Sequence, residues 1–148
     1  MLKLTTRGQY SVKALLDLSL QPNLAPTSVN AIAKRQNLPA PYLEKLLIEL
    51  RRAGIVNSVR GPSGGYCLAR EPKQISLGQI LDAVGESMSL PELSTTATVQ
   101  AEDWVTFSLW KRLDLKLKEA LYGVSLEDLY YDARSWQATQ GMGNNFIV

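Results

Sequence analysis

The side chains best suited to chemistry in this sequence are cationic, and they are concentrated in its first half. Residues 1–74 contain 11 lysines and arginines against four acids, a local net charge of +7, whereas residues 75–148 contain five against ten, a local net charge of −5. A basic half followed by an acidic half is typical of a protein that binds a polyanion with one part only. The first half is therefore the candidate polyanion-binding region.

Two scarce residue types exclude most catalytic chemistry. Histidine is absent and cysteine occurs once, at Cys67. Without imidazole there is no histidine base or metal ligand, and one thiol cannot form an intramolecular disulfide, a four-thiolate zinc site or a multi-thiolate cluster. No spacing of carboxylates or lysines arranges a catalytic pair, so we expect no enzyme. We expect Cys67, which apolar residues flank, to be a small buried side chain rather than a redox-sensing thiol.

Capping signals and hydrophobic periodicity predict that the first half begins with helices. Thr6 and Gln9 have the spacing of a capping box, and the apolar residues after them predict a helix over about 7–20. Ser28 is the expected cap of a second helix over 29–36. A tight turn should then lead directly into a third helix.

The third helix and the residues after it predict the fold class. The helix should begin near Pro41, where the missing N–H costs nothing, and end at Gly54. Two strand-like runs, 55–60 and 66–70, surround a Gly-Pro-Ser-Gly-Gly turn and predict a β-hairpin. The predicted fold is mainly α with a small β-hairpin wing, a winged helix-turn-helix followed by a long dimerisation helix. The expected buried residues of the second and third helices are Val29, Ile32, Ala33, Leu43, Leu46, Leu47 and Leu50.

Residues at the start of the second helix of a helix-turn-helix reach base edges in the major groove of DNA. Glu44 can accept a hydrogen bond from cytosine, Lys45 can donate to guanine, and Tyr42 can contact a phosphate or a thymine methyl. Because phosphate repels a carboxylate, Glu44 is expected to contribute specificity. We expect Arg60 to enter a narrow minor groove and Arg7 to bind phosphate. The predicted DNA-contacting residues are Thr6, Arg7, Ala40, Pro41, Tyr42, Glu44, Lys45, Arg52, Arg60, Ser63 and Gly64, with Lys34, Arg35 and Arg51 as weaker candidates.

The second half predicts a dimerisation element. A capped helix is expected over 76–84, an irregular stretch over 85–103, a long helix over about 103–122 and a final helix over about 125–136. The apolar band of the long helix is too broad for one buried stripe, so we expect the same helix of a second copy to cover it in a homodimer. The predicted interface residues are Trp104, Phe107, Trp110, Leu113, Leu117 and Leu121.

These elements suggest three regions. We expect a winged helix-turn-helix DNA-binding domain over 1–74, an effector-loop and dimerisation region over 75–136, and a C-terminal tail over 137–148, with a hinge near 72–76. The tail is expected to be mobile, with docking of Phe146-Ile147-Val148 as the alternative. The longest apolar run is four residues and no signal peptide is recognisable, so we expect a cytoplasmic protein with no membrane partner.

Several motifs carry a resemblance to a known family. They are LTTRGQYSVKALLDL, PYLEKLL and, above all, VRGPSGGYCLAR followed by ISLGQILDAVGES. With these motifs, the sequence resembles the Rrf-two family of bacterial repressors from residue 2 to about residue 134. The resemblance implies a homodimeric winged-helix transcription regulator with a long dimerisation helix.

The sequence departs from the cluster-binding members that it resembles. Those members carry three cysteines in the loop before the long helix, and residues 86–103 of this chain contain none. They also carry a histidine three residues before the tryptophan of that helix, where this chain has Phe107 before Trp110. We therefore expect no iron–sulfur cluster and no other cofactor. Pro41 stands where members often have serine, so their operator sequence does not transfer to this chain.

The resulting hypothesis is a sequence-specific regulator of transcription, a repressor, that binds double-stranded DNA as a homodimer at a near-palindromic operator. The alternative is a winged-helix protein-interaction module that no longer binds DNA, which a protein partner retained at high salt would indicate. The sequence leaves open which signal controls the regulator. The alternatives are a small-molecule or protein effector at residues 86–103, a cluster with unconventional ligands, and no signal at all.

Overall fold

The computed structural model describes residues 5–86 and 99–145, with the backbone alone for 142–145. Within these ranges lie six α-helices, two strands, and short 3₁₀ turns at Pro22–Leu24 and Pro72–Gln74. The predicted fold class, mainly α with one hairpin, is confirmed. The elements in chain order are α1 Thr6–Ser19, α2 Val29–Gln36, α3 Ala40–Arg52, β1 Val56–Val59, β2 Gly65–Leu68, α4 Leu77–Ala83, α5 Ala101–Gly123 and α6 Leu126–Asn145.

The helix-turn-helix, α2 and α3, matches the sequence prediction because its signals are local. The Ser28 hydroxyl accepts a hydrogen bond from the backbone N–H of Ala31 at 3.1 Å, and Asn37 ends α2 in the left-handed region with φ 55°. Leu38 is buried in the turn that leads into α3. The four predicted leucines of α3 are each 1% exposed or less, whereas Val29 of α2 is half-buried.

The start of α1 differs from the prediction. Thr6 is the first helical residue rather than the cap, and the actual N-cap, Thr5, makes no side-chain capping bond. Instead the backbone N–H of Gly8 donates to Oε1 of Glu86 at 3.0 Å. A carboxylate distant in the sequence thus satisfies one of the donors that the first turn leaves free.

The hydrophobic core continues beyond residue 74. Ile75 and Leu126 are both 0% exposed and belong to the same cluster as the leucines of α3. The N–H of Leu126 donates to the carbonyl of Ile75, and the N–H of Leu77 donates to the carbonyl of Val124, each at 2.8 Å. Within the expected hinge, 72–76, Ile75 is therefore part of the core and is bonded to the start of α6, whereas Lys73 and Gln74 are exposed.

The wing is an antiparallel hairpin in which Val56 pairs with Leu68 and Val59 pairs with Gly65. Gly65 has φ 146°, and a Cβ there would lie 2.2 Å from the carbonyl oxygen of Thr27. A Cβ on Gly64 would lie 2.1 Å from the carbonyl oxygen of Val59. The two glycines therefore allow a turn and a backbone approach that no other residue permits.

The second half begins with a predicted capping box and ends with a longer helix than expected. Ser76 and Gln79 exchange the two hydrogen bonds of a capping box at the start of α4, as predicted. The last helix does not end near residue 136 but continues to Asn145, so the expected tail is helical through residue 145. The segment is uncharged and rich in Gly, Asn and Gln, but no proline interrupts 137–145, and glutamine, alanine and methionine can extend a helix that is already formed. The expected irregular stretch lies largely in 87–98, which is outside the described residues, as are Phe146, Ile147 and Val148.

The long helix α5 crosses α4 at close range. A Cβ on Gly78 would lie 2.6 Å from the ring of Tyr122, so a glycine is needed at the crossing. The Tyr122 hydroxyl donates a hydrogen bond to Asp82, which raises the pKa of Tyr122 above its usual value. None of the described helices combines the length and the apolar character needed to span a bilayer.

Candidate nucleic-acid interface

The outer face of α3 carries the predicted base-reading side chains. Pro41, Tyr42, Glu44 and Lys45 are exposed in its first two turns, on the side away from the buried leucines. Ala40 is half-buried at the start of the helix, and Arg52 at its C-terminal end is exposed. The helix therefore presents one acid, one base and one aromatic ring to solvent at the end that a major groove would meet.

The N-terminal half of α1 packs against this helix and orients it. The Tyr10 and Tyr42 rings meet edge to face with centroids 5.9 Å apart. Arg7 Nη2 lies 2.5 Å from Oε1 of Glu49 on α3, and this hydrogen bond raises the pKa of Arg7. The guanidinium keeps further donors and is 44% exposed, so the pair leaves it able to contact a phosphate. Thr6 is exposed beside it.

A buried carboxylate fixes α2 against α1. Asp17 is 3% exposed and accepts hydrogen bonds from Arg35 at 2.9 and 2.7 Å and from Gln36 at 2.8 Å. The bond to Asp17 raises the pKa of Arg35. The guanidinium of Arg35, a weaker candidate for phosphate contact, is thus used inside the chain. Sequence reasoning missed this role of Asp17, whose only local signal was an acid among apolar residues.

The wing hairpin follows α3 in the chain, and the predicted contact residues of the wing lie in its turn. Arg60 and Ser63 are exposed, and Gly64 is half-buried with its N–H donating to the Gly61 carbonyl at 2.9 Å. On the return side, Arg70 donates to the carbonyls of Gly54 at 3.1 Å and Ala53 at 3.3 Å, directly after α3. This contact, which the sequence did not predict, ties the wing to the C-terminal end of the helix.

Among residues 5–74, the cations other than Arg70, which donates to backbone carbonyls, divide into two groups. Arg7, Arg35 and Lys73 form ion pairs. Within residues 5–86 and 99–145, no acid pairs with the second group, and all of its members are exposed. This second group, the free cations, consists of Lys13, Lys34, Lys45, Arg51, Arg52 and Arg60. Several of these lie on α3 and the wing turn, so the positive charge there is available to an external anion.

The predicted dimer-interface residues fall into two classes. Trp104, Trp110 and Leu113 are 58, 49 and 50% exposed. The others, Phe107, Leu117 and Leu121, are half-buried. The helix α5 has no buried residue, although it runs for 23 residues. Sequence reasoning did not include Val105, Leu109 and Leu115 in the interface, yet they are 60, 40 and 57% exposed.

The residues present do not fit an iron–sulfur cluster. Such clusters are held mainly by several cysteine thiolates, and the single thiol lies on β2 of the wing. Cys67 is half-buried there rather than fully buried as expected. Among the described residues, no three histidine, cysteine or acidic side chains form a group that could hold a metal ion.

Comparison with known proteins agrees with this geometry. Residues 4–132 match the family model Rrf2, described as iron-dependent transcriptional regulator. A protein of Synechocystis sp. assigned as an HTH-type transcriptional regulator is 64% identical over 148 residues, covering 99% of this chain and 100% of that protein. The solved structure of CymR, the global cysteine regulator of B. subtilis, is similar with a TM-score of 0.76 at 36% identity, covering 88% of this chain and 98% of CymR.

A second solved structure, T. potens IscR, is similar with a TM-score of 0.75 at 40% identity, covering 92% of this chain and 91% of that one. The family model and the Synechocystis relative are described as transcriptional regulators, not as enzymes. The winged helix-turn-helix, the motifs of its sequence and these likenesses lead to one conclusion: the chain belongs to the Rrf2 family of transcriptional regulators.

Proposed function

We propose that this protein is a repressor that binds a near-palindromic operator in double-stranded DNA as a homodimer and works without an iron–sulfur cluster. The observation that carries the proposal is the outer face of α3. Its base-reading side chains are exposed at the N-terminal end, and four buried leucines anchor the opposite face. A regulator that acts on bacterial DNA works in the cytoplasm, which is the location proposed here.

The exposed residues of α3 suit direct readout of bases. Lys45 can donate to the acceptors of guanine and Glu44 can accept from cytosine, so the two could read one G·C pair or adjacent pairs. Pro41 has no hydroxyl and no N–H to offer. The specificity of this chain therefore depends on Tyr42, Glu44 and Lys45.

The wing supplies a second contact. Arg60 is exposed at a turn in which Gly61 and Gly65 adopt positive φ, so little side-chain bulk separates the backbone from a duplex. An arginine on such a turn is suited to a narrow minor groove, where the negative potential is strongest. Its role would be to favour A/T-rich flanks, whereas Arg7 and Arg52 would hold phosphates.

The homodimer is supported by the exposed surface of α5. Large exposed apolar patches on a folded chain mark interaction sites, and Trp104, Trp110 and Leu113 are each about half exposed. A twofold axis that pairs this surface with the same surface of a second subunit would bury both surfaces. It would also present two α3 helices to one face of the duplex. The half-sites would then be about 34 Å apart, one turn of DNA.

The absence of a cluster is proposed from the available donors. With one cysteine and no histidine in 148 residues, the chain lacks the thiolates and imidazole that such a centre requires. We expect protein purified without oxygen to be colourless. Visible absorption that is lost on exposure to air would contradict this part of the proposal.

The DNA-binding proposal is tested by selecting duplexes from a random pool and measuring the affinity of the enriched duplex by fluorescence anisotropy. We expect a near-palindromic sequence whose affinity falls about 10³- to 10⁵-fold between 50 and 200 mM salt, as for roughly 6 to 10 phosphate contacts. Lys45→Ala should weaken binding to the enriched duplex more than binding to a scrambled duplex. Arg60→Ala should weaken binding mainly where the flanks are A/T-rich.

A matched control is Lys116→Ala, which removes one cation from α5, where Lys116 pairs with Glu119 at 3.5 Å. It should leave the affinity within about twofold of the unmodified protein, since an exposed pair far from the proposed interface contributes little. If Lys116→Ala and Lys45→Ala lose the same affinity for the duplex, the loss reflects the change in net charge and not a contact made by Lys45. A failure to enrich any sequence, together with a protein partner retained at high salt, would favour the interaction module instead.

A further inference from the structure

A cavity of about 250 Å³ lies between α1 and α6, away from the candidate DNA interface. One wall is the C-terminal end of α1 with the turn after it, including Asn23 and Leu24, and the other is the start of α6, including Glu127, Tyr130 and Tyr131. We call it the α1–α6 cavity. The 14 residues of α1 separate it from Arg7 by about 20 Å. None of the roles argued above uses its side chains.

The polar lining has acceptors and amides but no cation. Glu127 is half-buried, and its carboxylate has no ion-pair or hydrogen-bond partner among residues 5–86 and 99–145. Gln21 also lines the cavity, but its amide already donates to the Asp17 carbonyl at 3.0 Å. The nearest lysine in sequence, Lys73, pairs with Glu71 at 3.3 Å. The free charge of the lining is therefore negative.

The aromatic lining favours a positive ligand as well. Tyr130 and Tyr131 meet edge to face, with centroids 5.4 Å apart and planes at 70°. Tyr131 is 60% exposed, so its ring is accessible to a ligand. The face of an aromatic ring attracts a cation, and a carboxylate nearby supplies the opposite charge.

The turn that forms one wall is held in an uncommon conformation. Asn23 has φ 55° and Leu24 has φ 53°, and both line the cavity. Positive φ is rare for a residue such as leucine, and strained backbone of this kind persists where the surroundings fix it. Two hydrogen bonds fix this turn: the N–H of Leu24 donates to the Gln21 carbonyl at 3.0 Å, and the N–H of Ala25 donates to the Pro22 carbonyl at 3.2 Å.

We propose that the α1–α6 cavity binds a small organic ammonium ion, with Glu127 as its counter-charge and the rings of Tyr130 and Tyr131 against its apolar groups. The cavity is smaller than the roughly 300 to 1,000 Å³ typical of drug-sized ligands, so the ligand is compact. An anion would meet an unpaired carboxylate and no lining cation. The inference concerns binding alone and does not depend on DNA binding.

The test is a calorimetric or NMR titration of the full-length protein with choline chloride. The paired probe is 3,3-dimethyl-1-butanol, which has the same shape with carbon in place of the charged nitrogen. We expect choline to bind and the alcohol to bind at least about tenfold more weakly, because the alcohol has neither the ion pair nor the cation–π contact. Potassium chloride at equal ionic strength serves as the blank.

Two variants locate the site and one controls for charge. Glu127→Gln and Tyr131→Leu should each weaken choline binding by about fivefold or more while circular dichroism stays unchanged. Glu119→Gln makes the same charge change on α5 and should bind choline like the unmodified protein. Equal binding of choline and the alcohol, no saturable choline binding, or unchanged affinity in Glu127→Gln would each overturn the proposal.

Discussion

Replacing Asp17 by asparagine should destabilise the fold substantially, although the two side chains have the same shape. The carboxylate is 2% exposed and accepts three hydrogen bonds from Arg35 and Gln36, at 2.9, 2.7 and 2.8 Å. In the variant, one of the two oxygens becomes an N–H₂ group that faces donors. At least one charge-assisted bond is therefore lost, and such bonds contribute about 1.5 to 3 kcal/mol each.

The exposure of the partner limits the cost. The side chain of Arg35 is 41% exposed, so water can solvate its charge once the carboxylate is gone. The loss should therefore stay below the roughly 3 to 5 kcal/mol seen when one member of a fully buried pair is removed. We expect a decrease of about 2 to 3 kcal/mol in the free energy of unfolding.

Urea unfolding followed by circular dichroism measures this loss. With a slope of about 2 kcal/mol/M, the midpoint should fall by about 1 to 1.5 M. Protein concentration must be constant, because the proposed dimerisation would add to the apparent stability. The matched control is Glu71→Gln, which breaks an ion pair with Lys73 whose side chains are 67 and 62% exposed. Its midpoint should move by less than about 0.5 M.

Equal midpoints for Asp17→Asn and Glu71→Gln would refute the reasoning, since burial of the carboxylate is what separates the two cases. A change in the slope rather than the midpoint would indicate that the variant alters the compactness of the unfolded or the native state. In that case the change in the free energy of unfolding would not measure the hydrogen bonds that hold α2 against α1.

Four other variants test separate features of the structure. Gly65→Ala should lower the thermal midpoint strongly, because the added Cβ would lie 2.2 Å from the Thr27 carbonyl oxygen and φ is 146°. A midpoint equal to that of the unmodified protein would show that the hairpin turn has another conformation. Gly78→Ala should cost about 1 to 3 kcal/mol by overpacking against the Tyr122 ring, and a stabilised variant would contradict the close crossing of α4 and α5. The raised pKa of Tyr122 comes first from its hydrogen bond to Asp82, so the neutral phenol is favoured in the folded state. The stabilisation from this hydrogen bond is fully present below about pH 10, the pKa of tyrosine in the unfolded chain. It is lost as pH rises through the pKa of Tyr122 in the folded state. Unfolding midpoints of the protein and of Tyr122→Phe should therefore converge above about pH 10, and a constant difference would be inconsistent with the bond. Leu113→Glu should halve the mass measured by light scattering from twice 16.4 kDa to 16.4 kDa, whereas an unchanged mass would place the dimer contact elsewhere.

Local signals predicted the helix-turn-helix closely. Ser28 caps α2, the leucines of α3 line one face, and Ser76 with Gln79 forms the capping box of α4, because each feature depends on residues within one or two turns. The same reasoning failed at Thr6, where the N-terminus of α1 is satisfied by Glu86. No spacing within the first helix carries that information.

Contacts between distant residues account for what the sequence did not reveal of the site. The pair of Arg7 with Glu49 spans 42 positions and the pair of Arg35 with Asp17 spans 18. Their partners become evident only when the helices are packed. The exposed positions of α3 were predictable, since a helical face follows from periodicity alone, but which cations are free was not.

The bonds between residues 75–77 and 124–126 anchor α5 at its C-terminal end. An α-helix turns by about 100° per residue, so one residue inserted between Leu121 and this anchor would rotate Trp104 and Trp110 by about 100° around the helix axis. In the proposed homodimer the second subunit would rotate with them, and its α3 would leave the groove. Seven inserted residues would nearly restore the angle and add about 10 Å of reach. The residue count of α5 would therefore set both the angle and the spacing between two DNA half-sites, independently of the side chains that read them.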